Sequence, residues 1–125
     1  MAQSESPLRL DSLRRLLSAV KSDTGRVVLM AKLASGYGYS QPDSSLYYVT
    51  RVFELSQKAN YLYGKFLGYR SLFTIYNTVG DYPKVLESQI NALKIAEQLP
   101  NRRLESMAFV HMSLGFVYRE MNLYR

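Results

Sequence analysis

Apolar residues recur at intervals of three and four along almost the whole chain, the pattern of helices with one face turned inward. Leu10, Leu13, Leu16, Leu17 and Val20 form the first such stripe. Ser22-Asp23-Thr24-Gly25 interrupts it, and Asp23 or Thr24 is a natural cap for a second helix over Arg26 to Tyr39. That helix carries Val27, Met30, Leu33, Ala34 and Tyr37 on one side. Pro42 suits the first turn of a third helix, which carries Leu46, Val49, Val52, Phe53 and Leu55 toward Ala59. Asn60 stops it, and a fourth helix spans Leu62 to Val79. Gly80-Asp81-Tyr82-Pro83 is the sharpest break: glycine closes one helix in a left-handed conformation, aspartate caps the next and proline fits its first turn. A fifth helix with Val85, Leu86, Ile90, Leu93, Ile95 and Ala96 runs to Pro100-Asn101, and a sixth covers Arg103 to Met121. Strand-like alternation is nowhere sustained, so the expected class is all-α with about six helices.

The helices are not independent of one another. Leu33-Ala34 with Tyr37, Leu72-Phe73 with Tyr76, and Leu114-Gly115 with Tyr118 repeat one pattern, their leucines 39 and 42 residues apart. A turn follows each tyrosine, and Val52-Phe53-Glu54-Leu55 matches Ala92-Leu93-Lys94-Ile95 at a step of 40. The unit is a helical hairpin whose apolar stripe is buried only by stacking on its neighbour.

These residues resemble the tetratricopeptide repeat (TPR) family, most closely from Leu72 to Ile95, with Tyr76, the Gly80-Asp81-Tyr82 turn and Ala92-Leu93. The resemblance implies a right-handed α-solenoid of antiparallel helix pairs. Residues 1–7 then form a disordered tail and 8–22 a capping helix, followed by hairpins over 24–60 and 61–99. Residues 101–125 supply the first helix and turn of a truncated third hairpin. The spacing near 40 exceeds the family's usual length of about 34. Phe73 stands where the family prefers a small residue, as do Val52 and Val85 in the second helices. Asp23-Thr24-Gly25-Arg26-Val27, the run Tyr39-Ser40-Gln41-Pro42-Asp43-Ser44-Ser45-Leu46-Tyr47-Tyr48, and Ala92-Leu93-Lys94-Ile95-Ala96-Glu97 resemble the N-terminal TPR sensor regions of Bacteroidetes-type two-component histidine kinases. That implies a sensor module on the extracytoplasmic side of a membrane protein, with the membrane reached only through a region outside this chain. The polar start Ala2-Gln3-Ser4 fits a mature secreted chain. A TPR adaptor or scaffold, cytoplasmic in that case, is the alternative.

Composition narrows the chemistry. The 125 residues contain no cysteine, which removes thiol catalysis, disulfides and zinc-thiolate sites. His111 is the only histidine, with no partner at metal-ligand spacing, and its place just before Leu114 suggests packing between helices. Gly64-Lys65-Phe66 lacks the hydroxyl and the glycine loop of a phosphate cradle, while Gly64 and Gly68 lie on one helix face and read as a close helix approach. Paired carboxylates are absent from any one face. The expectation is a segment with no catalytic residues, no cofactor and no metal.

Sixteen basic against ten acidic residues give +6. The basic residues are scattered, without a recognition-helix or RNA-binding pattern, so no nucleic acid is expected, and a basic nucleic-acid-binding helical domain is the outlying alternative. First helices of stacked hairpins line a concave face. Their exposed positions are Lys32, Ser35 and Tyr39, then Arg70, Thr74 and Asn77, then Met112, Phe116 and Arg119, a strip suited to a protein or peptide ligand with acidic and apolar groups. The Leu114 and Tyr118 stripe, without a following helix, is an apolar end that a second copy could cover.

Overall fold

The computed structural model describes residues 7–38 and 40–123, and among them six helices and no strand. They are α1 (Pro7–Ala19), α2 (Asp23–Tyr37), α3 (Pro42–Lys58), α4 (Leu62–Val79), α5 (Tyr82–Ala96) and α6 (Arg103–Leu123). The tail expected over residues 1–7 lies outside the described residues except for Pro7, which opens α1.

Local chemistry sets the boundaries. Ser22, rather than Asp23 or Thr24, caps α2, its Oγ accepting the Gly25 N–H at 3.1 Å. The helix therefore starts three residues before Arg26, with Asp23 in its first turn, where a negative charge opposes the helix dipole. Helices α3 and α4 end by one device. Asn60 (φ 51°) and Gly80 (φ 75°) are left-handed. The next N–H, from Tyr61 or Asp81, reaches back to the carbonyl of Ser56 (2.8 Å) or Tyr76 (3.0 Å). This closes the last turn and satisfies carbonyls that would otherwise be orphaned. Asp81 then caps α5, accepting the Lys84 N–H at 3.4 Å, with Pro83 in the first turn. A Cβ at Gly80 would meet nothing within 4 Å, so its substitution probes the backbone alone. Gly80→Ala should lower stability by about 1 kcal/mol in urea unfolding, and Gly80→Asn by less, because Asn tolerates this conformation as Asn60 does.

Packing follows chain order: each helix lies against its sequence neighbours, and α2 also lies against α4. The core is correspondingly a row of three clusters. Leu10 and Leu13 of α1 meet Leu33 and Tyr37 of α2. Val27, Met30 and Ala31 of α2 meet Val52 and Leu55 of α3 and Leu67 of α4. Phe66 of α4 meets Ala92 and Ala96 of α5, Leu99, and Val110 of α6. Buried serines keep the helices close, and Ser45 Oγ ties α3 to α2 by donating to the Ala34 carbonyl at 2.6 Å. The ion pairs among the described residues (Arg14–Asp11, Arg51–Glu54, Lys84–Asp81) each join residues three apart on the surface and add little. Apolar burial carries the fold.

Three stripes differ from the sequence reading. In α1 the inward line is Leu10, Leu13, Leu17 and Val20, and Leu16 lies off it, 53% exposed. In α5 the buried line is Val85, Ser88, Gln89, Ala92 and Ala96, while Ile90 is exposed. In α6 the buried face is Ser106, Val110, Ser113 and Val117; His111 is exposed rather than packed between helices. The three repeat tyrosines also differ. Tyr37 is buried, stacked on Tyr48 with ring centroids 5.8 Å apart, and accepts a hydrogen bond from Arg14. Tyr76 is half-buried under the Lys84 ammonium, and Tyr118 is 55% exposed. Phe73 turns its ring edge-on to Phe109 of α6, with ring centroids 6.1 Å apart.

Candidate functional site

The close approach of α2 and α4 leaves a groove of about 570 Å³ along their shared face. Helical spacing explains its lining. Val28, Ala31 and Lys32, then Ser35, follow one another along α2, and Leu67, Arg70 and Thr74 do the same along α4. Val28 and Leu67 hold equivalent places five residues before the repeated leucines Leu33 and Leu72. The aliphatic residues make the floor, and the long basic side chains rise from it with their stems along apolar surface.

Other elements close the ends. Arg9 and Leu13 of α1 border one side, and Tyr61, Tyr63 and Arg102 stand at the other. The second aromatic corner is tightly organised. The Tyr63 ring stacks on Phe66 at 6.1 Å and 17°, and the Arg102 guanidinium lies 4.4 Å from the Tyr63 centroid, its Nη1 donating to the Tyr63 hydroxyl at 3.3 Å. Arg70 is placed similarly, its guanidinium 5.8 Å from the Phe109 ring centroid. Stacking on a ring holds a guanidinium in position while leaving its edge donors available.

The electrostatics of the groove are one-sided. Arg9, Lys32, Arg70 and Arg102 line it, and among the described residues no carboxylate does. No acidic side chain among the described residues pairs with Lys32, Arg70 or Arg102. Burial pushes the Tyr61 phenol up, with Tyr63 adding to the effect against the pull of Arg102, so it stays a neutral hydroxyl at neutral pH. Lys32, Arg70 and Arg102 around a partly apolar cleft, with hydroxyls from Ser35 and Thr74, favour an anionic guest and disfavour a cationic one.

Of the nine residues expected on the binding face, Lys32, Ser35, Arg70 and Thr74 line this groove together. Tyr39 lies outside the described residues. Asn77 is one turn beyond Thr74, half-buried, with its carboxamide oxygen enclosed and without a hydrogen-bond partner. Met112, Phe116 and Arg119 are exposed on α6, off the groove. Arg9, Tyr61, Tyr63 and Arg102 line the groove as well, outside those nine. Three of them lie in or beside turns, where no helical period signals which way a side chain faces.

Among the described residues no cluster of histidine, aspartate and glutamate is arranged to hold a metal ion, and no helix is long and apolar enough to cross a membrane. Comparison with protein-family models, curated proteins and solved structures found no match to this chain.

Proposed function

We propose that this chain is a non-catalytic binding module built as a TPR-like solenoid, and that its groove takes an acidic segment of a protein or peptide. Packing in chain order, the additional α2–α4 contact and the row of three core clusters support the repeat architecture. So does the burial of Val52 and Ala92, 40 residues apart, at matching places in α3 and α5. The observation that carries the functional reading is the groove lined by Lys32, Arg70 and Arg102, none of them paired with an acidic side chain among the described residues. The wider role follows the resemblance of the chain: a sensory segment of a two-component histidine kinase, in which an occupied groove biases the packing of adjoining helices and so the output region. In that role the segment lies on the extracytoplasmic side.

Fluorescence anisotropy with short Glu-rich and Lys-rich peptides tests the groove. The Glu-rich peptide should bind and weaken as salt rises, and the Lys-rich one should not bind. Lys32→Ala and Arg70→Ala should each weaken binding by about fivefold, or ~1 kcal/mol, with the melting temperature nearly unchanged, because both side chains are exposed. Arg119→Ala, off the groove, should leave affinity as it is. Equal losses from all three, or tighter binding of the Lys-rich peptide, would overturn the assignment. Binding of a single-stranded oligonucleotide in preference to the Glu-rich peptide would transfer the groove to nucleic acid.

A further inference from the structure

The aromatic end of the groove opens onto a second cavity of about 280 Å³, held between the turn preceding α4 and the turn preceding α6. Tyr61, Tyr63 and Arg102 belong to both. The two spaces are chemically unlike. The second is walled largely by carbon, from Leu62, Leu99, Pro100 and the tyrosine rings, and Arg102 is the only charged residue among the described ones that line it. The first holds the other three cations.

Arg102 therefore stands at the boundary of a basic trough and an apolar hole, and it is held there. Its guanidinium lies over Tyr63, which is itself stacked on the fully buried Phe66. A guanidinium fixed on the lip of an apolar cavity can offer its donors to a carboxylate next to a side chain that enters the cavity. We infer that the two cavities form one bipartite site for an acidic segment bearing a leucine- or phenylalanine-sized residue beside a carboxylate. The apolar side chain enters the hole between the turns, Arg102 pairs with the adjacent carboxylate, and Lys32 and Arg70 meet acidic groups farther along.

This inference rests on reading the groove as a peptide site and adds to it a side-chain preference and a register. Charge complementarity selects the occupant: Lys32, Arg70 and Arg102, with no acidic partner among the described residues, favour an anion, and the carbon-walled end favours an anion that carries an apolar side chain. Since the hole is bounded by two turns from successive hairpins, it exists only while those hairpins hold their relative position. A ligand filling it would hold them there.

The test uses the whole chain and two fluorescein-labelled Glu-rich peptides that differ only in a central leucine or serine. The leucine peptide should bind about tenfold more tightly, the return from burying one such side chain. Asn101→Trp, at an exposed position on the rim of the hole, should remove that advantage and leave the affinity for the serine peptide unchanged. Arg102→Ala should weaken the leucine peptide more than the serine peptide, because it breaks the pairing of side chain and carboxylate. If both peptides bind alike and Asn101→Trp has no effect, the bipartite site is wrong while the acidic groove stands. If neither peptide binds, the groove reading itself fails.

Discussion

Phe66→Ala should lower the stability of the protein by about 4 kcal/mol, the largest effect expected of a single truncation here. Phe66 is the largest of the fully buried side chains, and it joins three helices. It packs with Ala92 and Ala96 of α5, with Leu99, and with Val110 of α6; Tyr63 stacks on its face and Phe109 meets it edge-on at 6.2 Å. The buried residues Ala92, Ala96 and Val110 around it are short, so the core closes only partly over the vacated space, and large-to-small substitutions cost most where it does so least. A shift of the urea midpoint at unchanged slope would report it. The loss should also reach the groove: without the ring beneath it, Tyr63 loses the support that sets Arg102, so affinity for a Glu-rich peptide should fall even where the variant is folded.

Gly64→Ala is the second large effect, and its sign opposes local propensity. Alanine favours a helix interior by about 1 kcal/mol over glycine, which alone would stabilise α4. A Cβ at this position, however, would overlap Ser56 Oγ and lie 2.9 Å from both Tyr61 Cδ2 and Val27 Cγ1. Ser56 is fully buried, and Val27 belongs to the central cluster, so α3 and α2 must move away from α4 together. Overpacking of this kind costs about 1–3 kcal/mol, and with helix propensity offsetting part of it the net loss should be about 2 kcal/mol. Ser56→Ala supplies the control, since Ser56 Oγ has no hydrogen-bond partner and its removal alone should change little. Combined with Gly64→Ala it should recover part of the loss, an interaction that a double-mutant cycle measures directly. Gly68→Ala should be milder. There the neighbour is the ring of half-buried Phe53, at 2.6 Å, and a ring at the surface can turn aside.

Gly64 and Gly68 also show what the sequence states clearly. Two glycines four apart in an otherwise helical segment announce a close approach, and the structure places α2 and α3 side chains against Gly64 and Phe53 of α3 against Gly68. The Gly80-Asp81 break, the stop at Asn60 and the prolines at Pro42 and Pro83 were legible for the same reason: each acts through its own backbone or its nearest neighbours. What depends on distant partners was harder to see. The outward side of α6 carries Leu104, Met112, Phe116 and Tyr118, while its buried side is Ser106, Val110, Ser113 and Val117. Hydrophobic periodicity points to the wrong face, because tight packing against α5 selects small residues there and the larger apolar ones are left outside.

The groove divides along the same line. Lys32, Ser35, Arg70 and Thr74 sit on regular helices, and counting from the repeated leucines put them on one face. Arg102 and Tyr61 occupy turns, and Arg9 comes from a helix outside the repeat, so only tertiary structure brings them to the same cleft. Gln89 is a further case. It is fully buried with both carboxamide atoms lacking hydrogen-bond partners, at the place where the preceding hairpin has Val49. The repeat alone would assign an aliphatic residue there.

A core divided into successive clusters has a mechanical consequence. The first helix and the last do not touch, so small rotations at each junction should add up between them. Leu17, Tyr48 and Tyr63 each pack against two clusters, so those side chains are where such rotations must be absorbed. Widening or narrowing the cleft should then cost less than taking any one cluster apart.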